Sequence, residues 1–246
     1  MFAARIAVTA ATLDAMLAEL NEAGTLGVTE LDGPVLEAWF ENEAVARSFS
    51  SNVARAPETD WVAESRSAWV SRLVGERFFL APPWSAEAAP ETRIRLEYRA
   101  GMACGTGEHP GTRLALMGLE RSVFTGCRVL DVGTGSGLLV EAALALGASL
   151  VVGCDIEEPD VRLAREAGRG EFFAGSARAL RAQSFDVVVA NINAASLRLL
   201  MQDLRRVLRP GGALVLSGFR PGELLVERSV ELDLEGWRAL LLRLAV

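Results

Sequence analysis

Between Asp131 and Gly137 the chain reads Asp-Val-Gly-Thr-Gly-Ser-Gly, a glycine-rich turn between the apolar run CRVLDV and a helical pattern over residues 137–147. Glycine lets a chain turn this sharply and brings its backbone close to a ligand, because no Cβ intervenes. A strand must therefore end and a helix begin at this point. The downstream sequence repeats that unit. Strand-like runs CRVLDV, SLVVGCD, FDVVVAN and GALVLSGF alternate with helical patterns over roughly 137–147, 159–167, 194–208 and 221–230. The strands are continuously apolar, which predicts an α/β fold with a parallel sheet covered on both faces. Ligands of such sheets sit at the carboxyl ends of the strands, where the strand order reverses.

Asp155 closes the strand after the glycine loop. A carboxylate there can accept hydrogen bonds from both ribose hydroxyls of an adenosine. The loop spacing is GxGxG, whereas the dinucleotide fingerprint is GxGxxG. A pyrophosphate wants free N–H groups at a helix N-terminus. Asp131, two residues before the first glycine, suits a cationic ligand instead, so S-adenosylmethionine is the expected cofactor. A phosphate or dinucleotide site on a similar fold is the alternative. Gly175-Ser176 lies beyond the third strand candidate, either as an ordinary turn or where an adenine edge would be met. Asn191 ends FDVVVAN, either as a loop starter or as a ligand projecting into the cleft. Leu208-Arg-Pro-Gly-Gly212 reads as a helix stop and turn.

The N-terminal part has a different pattern. Residues 4–9 read as a strand. Residues 11–22 read as a helix with Leu13, Met16, Leu17 and Leu20 on one face and Thr12 as N-cap. Residues 25–31 and 34–40 read as strands meeting at Asp32-Gly33, and residues 42–51 as a helix. This β-α-β-β-α order predicts a small α+β, ferredoxin-like domain. Residues 61–74 place Trp61, Ser65, Trp69 and Leu73 nearly in line and predict a linking helix, after which Pro82, Pro83 and Pro90 break regular structure. The expected division is residues 1–60 as an N-terminal recognition domain, 61–90 as linker helix and connection, and 91–246 as the larger domain.

Composition excludes several function classes. Cys104, Cys127 and Cys154 are odd in number and widely spaced, so neither a disulfide framework nor a CxxC metal site fits. His109 is the sole histidine, and no metal is expected. A net charge of −7 with scattered arginines disfavours direct nucleic-acid binding and suits a basic protein partner. No apolar run reaches the ~18 residues of a membrane span, and the N-terminus lacks a signal-peptide pattern. A cytoplasmic protein is expected. All 25 basic residues are arginine. GC-rich coding accounts for that and for the abundance of alanine.

Residues 101–112, Gly-Met-Ala-Cys-Gly-Thr-Gly-Glu-His-Pro-Gly-Thr, add a rarer feature. They resemble the motif GxAFGTGxHxTT of the bacterial methyltransferases that modify large-subunit ribosomal protein eleven. Asp131–Gly137, Asp155 and Asn191-Ile192-Asn193-Ala194 are similar to that family's later motifs, as is the pattern Asp60-Trp61, Trp69 and Pro83-Trp84. Gly111 and Cys104 depart from it, standing where the family has threonine and phenylalanine. The resemblance implies a seven-stranded, Rossmann-like class I methyltransferase domain and an N-terminal domain that recognises the ribosomal protein. It implies methylation of amino groups, both lysine side chains and the α-amine, with S-adenosylmethionine as cofactor. The resemblance maps cofactor contacts onto Thr112, Gly133, Asp155 and Asn191, with Thr106–Thr112 lying over the methionine end; Gly135, Ile156 and Ser176 complete the expected cofactor-binding set. No catalytic base is assigned. His109 could be one, but holding the loop in shape by hydrogen bonding is the favoured role; Tyr98 reads as packing. The absence of lysine would spare an amine-methylating enzyme from modifying itself. Alternatives are a methyltransferase for another protein, a tRNA or a small molecule, a non-catalytic cofactor-binding relative, and a nicotinamide-dependent oxidoreductase. Asn-Ile-Asn-Ala at residues 191–194 argues against the glutamine-modifying enzymes, which carry Asn-Pro-Pro-Tyr there.

Overall fold

The computed structural model describes residues 2–9, 12–31, 35–55, 70–97, 109–166 and 169–245. The chain divides into two compact units, Met1–Ser65 and Arg66–Val246.

The first unit runs β1 (Phe2–Ala7), α1 (Leu13–Glu22), β2 (Gly27–Leu31), β3 (Val35–Phe40), α2 (Glu43–Phe49) and β4 (Val53–Arg55). Its sheet order is β2-β3-β1-β4, with every neighbouring pair antiparallel. This is the ferredoxin-like β-α-β-β-α-β arrangement, completed by a short β4 that the sequence pattern did not signal. Alternate residues Leu36, Ala38 and Phe40 of β3 point into a core with Ile6, Leu20 and Ala46. The Asn42 side chain accepts the Ala44 N–H at 2.8 Å and caps α2. Thr12 stands immediately before α1, its carbonyl accepting the Met16 N–H at 3.0 Å and its hydroxyl the Thr9 N–H at 2.9 Å. The Asp32-Gly33 turn lies outside the described residues.

The second unit begins with a three-stranded sheet of β5 (Arg72–Val74), β6 (Phe78–Ala81) and β7 (Ile94–Glu97). The linking helix expected over residues 61–74 lies mostly outside the described residues, and its last part is strand rather than helix. Nor does the stretch after it act as a connection. All four residues of β6 are buried, and Phe78 and Leu80 join the larger unit's core. The prolines break the chain only after β6 has ended.

The rest runs α3 (Pro110–Ser122), β8 (Arg128–Val132), α4 (Leu138–Ala145), β9 (Leu150–Asp155), α5 (Glu158–Glu166), β10 (Glu171–Ala174), β11 (Phe185–Asn191), α6 (Ala194–Val207), β12 (Leu208–Phe219), β13 (Val230–Leu234) and β14 (Trp237–Arg243). The seven strands from β8 onward form one sheet, ordered β10-β9-β8-β11-β12-β14-β13, in which only β14 runs antiparallel to its neighbours. This is the expected class I methyltransferase sheet. Successive residues of β11 serve opposite faces. Val187 and Val189 pack with α3 and α4, while Val188 and Ala190 pack with Leu197 and Leu204 of α6. Burial on both faces is why these strands read as unbroken apolar runs. The order reverses between β8 and β11, opening a crevice at their carboxyl ends. Among the described residues no helix is long and apolar enough to cross a membrane.

Two further expectations change. The turn at Leu208–Gly212 is a bulge inside β12: pairing passes from Leu208 opposite Phe185 to Ala213 opposite Val187. The helix expected over 221–230 does not form. Gly222 and Arg228 hold left-handed φ values of 88° and 58°, which no α-helix tolerates, and the chain enters β13 at Val230. The two-residue turn Glu235-Gly236 then closes a β13–β14 hairpin with φ values of 50° and 75°, as a tight hairpin turn requires.

Candidate active site

The glycine loop is tied to the end of β9. The N–H groups of Gly133 and Thr134 donate to the Cys154 carbonyl at 2.8 and 3.1 Å. The Gly135 N–H donates to Asp155 Oδ2 at 3.0 Å, and the Glu157 N–H to Asp155 Oδ1 at 3.2 Å. Each Asp155 oxygen is thus fixed by one backbone donor and keeps acceptor capacity to spare. Gly133 holds φ 75°, and a Cβ there would strike the Ile192 side chain, so the loop's path requires glycine twice over.

Asp131 lies behind this loop, fully buried. The Thr134 hydroxyl donates to its Oδ2 at 2.8 Å. Its Oδ1 is the one buried carboxylate oxygen without a partner among the described residues. Burial pushes the Asp131 carboxyl up to about 7; the nearby Asp155 charge adds to the rise, and the Thr134 hydrogen bond opposes it. Asp131 is therefore a group that titrates near neutrality, rather than the permanent anion that its sequence position suggests.

Across the crevice, Asn191 ends β11. Its amide nitrogen donates to Thr112 Oγ1 at 3.1 Å, and its Oδ1 accepts the Ser217 hydroxyl at 3.0 Å. Thr112 and Ser217 are both buried. At Gly111 a Cβ would come within 3.0 Å of both Asn191 Oδ1 and His109 Nδ1. Glycine at this position lets the first turn of α3 approach Asn191. His109 is the N-cap of α3, its Nδ1 accepting the Gly111 N–H at 3.0 Å. Burial lowers the imidazole's pKa, and the Arg113 and Arg220 charges lower it further. The neutral ring therefore carries its proton on Nε2 and has its Nδ1 lone pair engaged, which gives it a shaping role.

One cavity of about 680 Å³ collects these groups. Thr112, Gly133, Gly135, Asp155, Ile156, Ser176 and Asn191 all line it. Ile156 offers the cavity an apolar side chain that is 77% exposed, and Gly175 donates its N–H to the Asp155 carbonyl at 2.7 Å, setting Ser176 beside that residue. The Ser176 hydroxyl accepts the Arg178 N–H at 3.4 Å and starts a short 3-10 turn. Tyr98 and residues 101–108 lie outside the described residues. Sequence reasoning missed Trp237, Leu200 and Ser196, which also line the cavity. Trp237 meets His109 edge-on, with ring centroids 4.2 Å apart, and the Arg220 guanidinium lies 4.8 Å over the Trp237 ring. Among the described residues no cluster of His, Cys, Asp and Glu could hold a metal. Cys127 and Cys154 are buried free thiols, and burial pushes the Cys154 thiol up to about 12, which makes it inert.

Residues 29–224 match the family model described as ribosomal protein L11 methyltransferase. The chain belongs to that family. It is 38% identical over 193 residues to the ribosomal protein L11 methyltransferase of Burkholderia multivorans, an alignment covering 76% of this chain and 64% of the relative. It is 40% identical over 212 residues to that of Dechloromonas aromatica, covering 85% of this chain and 64% of the relative. The chain thus spans just under two thirds of the length of both L11 methyltransferases. Among solved structures, the ribosomal protein L11 methylase of Lactobacillus delbrueckii subsp. bulgaricus superposes with a TM-score of 0.63 at 26% identity, covering 72% of this chain and the whole of that one.

Proposed function

We propose that this chain is an S-adenosylmethionine-dependent methyltransferase acting on amino groups, lysine side chains and the α-amine, of ribosomal protein L11. The observation that carries this is the cavity at the strand-order reversal, with Asp155 on one side and the Asn191–Thr112 pair on the other, in a chain of the L11 methyltransferase family.

The loop itself disfavours a dinucleotide. The N–H groups of Gly133, Thr134 and Gly135 are already donated to the Cys154 carbonyl and the Asp155 carboxylate, so they are not free to cradle a pyrophosphate. The residues present fit an adenosine sulfonium instead. Asp155 would accept from the ribose hydroxyls. Ile156 would cover the adenine face and Ser176 its edge. Gly133 and Gly135 would allow close backbone approach, and Thr112 and Asn191 would stand at the methionine end. Asp131, buried behind the loop, acts on the site through the Thr134 hydroxyl that it holds. When bound, S-adenosylmethionine supplies an electrophilic methyl group on sulfur.

The protein's part is to hold the acceptor nitrogen in line and to keep it neutral and desolvated. His109 is spent on capping α3, so no base is assigned to it. The first unit carries recognition of the ribosomal protein, and the net charge of −7 favours encounter with a basic partner. Such a substrate implies a cytoplasmic enzyme. Mass spectrometry of purified ribosomal protein L11 after incubation with the chain and S-adenosylmethionine tests the reading. Methyl additions on lysine or the α-amine are expected, and an unmodified protein at enzyme-stoichiometric concentration overturns it.

A further inference from the structure

Sheet order divides the cavity. Asp155 and Ser176 sit over β9 and β10, on one side of β8, while Asn191 and Trp237 sit over β11 and β14, on the other. If adenosine occupies the Asp155 side, as proposed above, the acceptor amine must enter on the side of Asn191 and Trp237.

The charges on that side are nearly all paired. Arg113, buried in the first turn of α3, donates to Glu235 at 2.7 Å, and Glu235 also feels Arg72 of β5. Arg238 of β14 is held by Asp233 and Glu231 at 2.7 and 2.6 Å. Among the described residues His109 is the other titratable group at that rim, its pKa lowered by burial and by the Arg113 and Arg220 charges. The acids Asp131, Asp155, Glu157 and Asp160 belong to the β8–β9 side. Arg220, just past β12, is the exception. Its guanidinium makes no ion pair among the described residues; the Glu223 carboxylate accepts only its backbone N–H, at 2.6 Å. The side chain lies over the hairpin, 4.8 Å above the Trp237 ring, and would meet a Cβ placed at Gly236. A cation on an aromatic face is held in place without being neutralised.

We propose that Arg220, seated on Trp237 at the acceptor side of the cavity and in no ion pair among the described residues, is a positioning residue whose charge disfavours the ammonium form of the incoming amine, so that the amine gives its proton to solvent before it attacks and no protein base is required. An ordinary lysine is almost wholly protonated at neutral pH, with a pKa of about 10.4. A nearby positive charge lowers that value and enlarges the neutral fraction. The field of Arg220 does reach the cavity rim, because it lowers the pKa of the His109 imidazole. The same charge makes the ammonium form bind less well, so catalysis gains at some cost in ground-state affinity.

This inference rests on the proposed function, and the test separates the two. Arg220 is exposed, so Arg220→Gln should fold. Its kcat at pH 7 is expected to fall about threefold to tenfold, with the rising limb of the kcat–pH profile moved up by about half a unit to one unit and the two enzymes converging at high pH. Its KM for ribosomal protein L11 should fall as well, and Arg220→Lys should behave like the wild type. The sole histidine gives a readout without turnover: the NMR-observed pKa of His109 should rise in Arg220→Gln. An unmoved His109 pKa overturns the inference whatever the substrate. So does a shifted histidine with an unchanged kcat profile, or an equal loss of kcat at every pH with weaker L11 binding. A wild-type chain that methylates no amine of L11 overturns the functional reading, and this inference with it.

Discussion

The side-chain amide of Asn191 donates to Thr112 Oγ1 at 3.1 Å, joining the carboxyl end of β11 to the first turn of α3. Residues 79 positions apart in sequence thus form one wall of the cavity. The pair is backed by Ser217, whose hydroxyl donates to Asn191 Oδ1 at 3.0 Å. Asn191→Ala leaves two buried hydroxyls short of a partner, which costs about 1–3 kcal/mol of stability. Urea melts should record that loss. Calorimetry with S-adenosylhomocysteine should show affinity lowered by about tenfold or more, since one such bond is worth about 1.4 kcal/mol. Unchanged affinity would remove Asn191 from the cofactor wall.

Asp155→Ala should cost far more affinity than stability. The carboxylate would supply two charge-assisted hydrogen bonds to a ribose, each worth about 1.5 kcal/mol or more, so cofactor affinity should drop about 100-fold. Asp155 also accepts the Gly135 and Glu157 N–H groups; the exposed Glu157 N–H can turn to water, and the stability loss is confined to the one bond from buried Gly135. Circular dichroism of the variant should match the wild type. An affinity within threefold of wild type by calorimetry would refute the assignment.

What could be read from the sequence follows from how each element is buried. β8, β9 and β11 are covered on both faces, so their apolar runs are continuous and stand out. The loop between Asp131 and Gly137 is legible because its backbone leaves few residue types possible. The β13–β14 hairpin hid because its turn is Glu235-Gly236 and not the more recognisable Asn-Gly, and because the Leu224-Leu225-Val226 cluster before it imitates a helix. That hairpin carries Trp237, so the acceptor side of the cavity was the less visible half. β6 hid for a related reason: it is only four residues long, Phe78–Ala81, too short for a periodic pattern, and Pro82 and Pro83 follow it at once. His109 was ambiguous from composition alone. Its hydrogen bond to Gly111 is a local geometric fact that only coordinates supply.

Gly133→Ala tests the shape of the loop directly. Alanine at φ 75° is strained, and its methyl group would press on Ile192. A stability loss of about 1–3 kcal/mol is expected. The same methyl intrudes where the backbone meets the ligand, so S-adenosylhomocysteine affinity should fall with it. Ile192→Ala should relieve the clash. Partial recovery of stability in the double variant, beyond what Ile192→Ala alone predicts, would show that the two sites couple. Strict additivity would mean that backbone strain, and not the contact, dominates.

Asp131 makes stability depend on pH in an unusual direction. Its folded pKa is raised from 3.8 to about 7 by burial. A carboxyl with a raised folded pKa binds more protons in the native state than in the unfolded chain, so its contribution to stability is full at low pH and is lost as pH rises. The window runs from about 4 to about 7. Most carboxylates in ion pairs act oppositely, stabilising the fold as pH rises, and they mask the Asp131 contribution in the wild type. Asp131→Asn removes that contribution alone, while the amide oxygen can still accept the Thr134 hydroxyl. The variant should therefore gain on the wild type between pH 4 and 7.5 in paired urea melts. Cofactor binding supplies the complementary measurement. If a cationic group of the ligand draws the Asp131 proton off, binding by the wild type should release protons near pH 6.5, visible as a buffer-dependent enthalpy, and binding by Asp131→Asn should release fewer. Identical proton release from the two proteins would mean that the carboxyl keeps its proton when the ligand is bound, and that its role is to hold Thr134 in the loop.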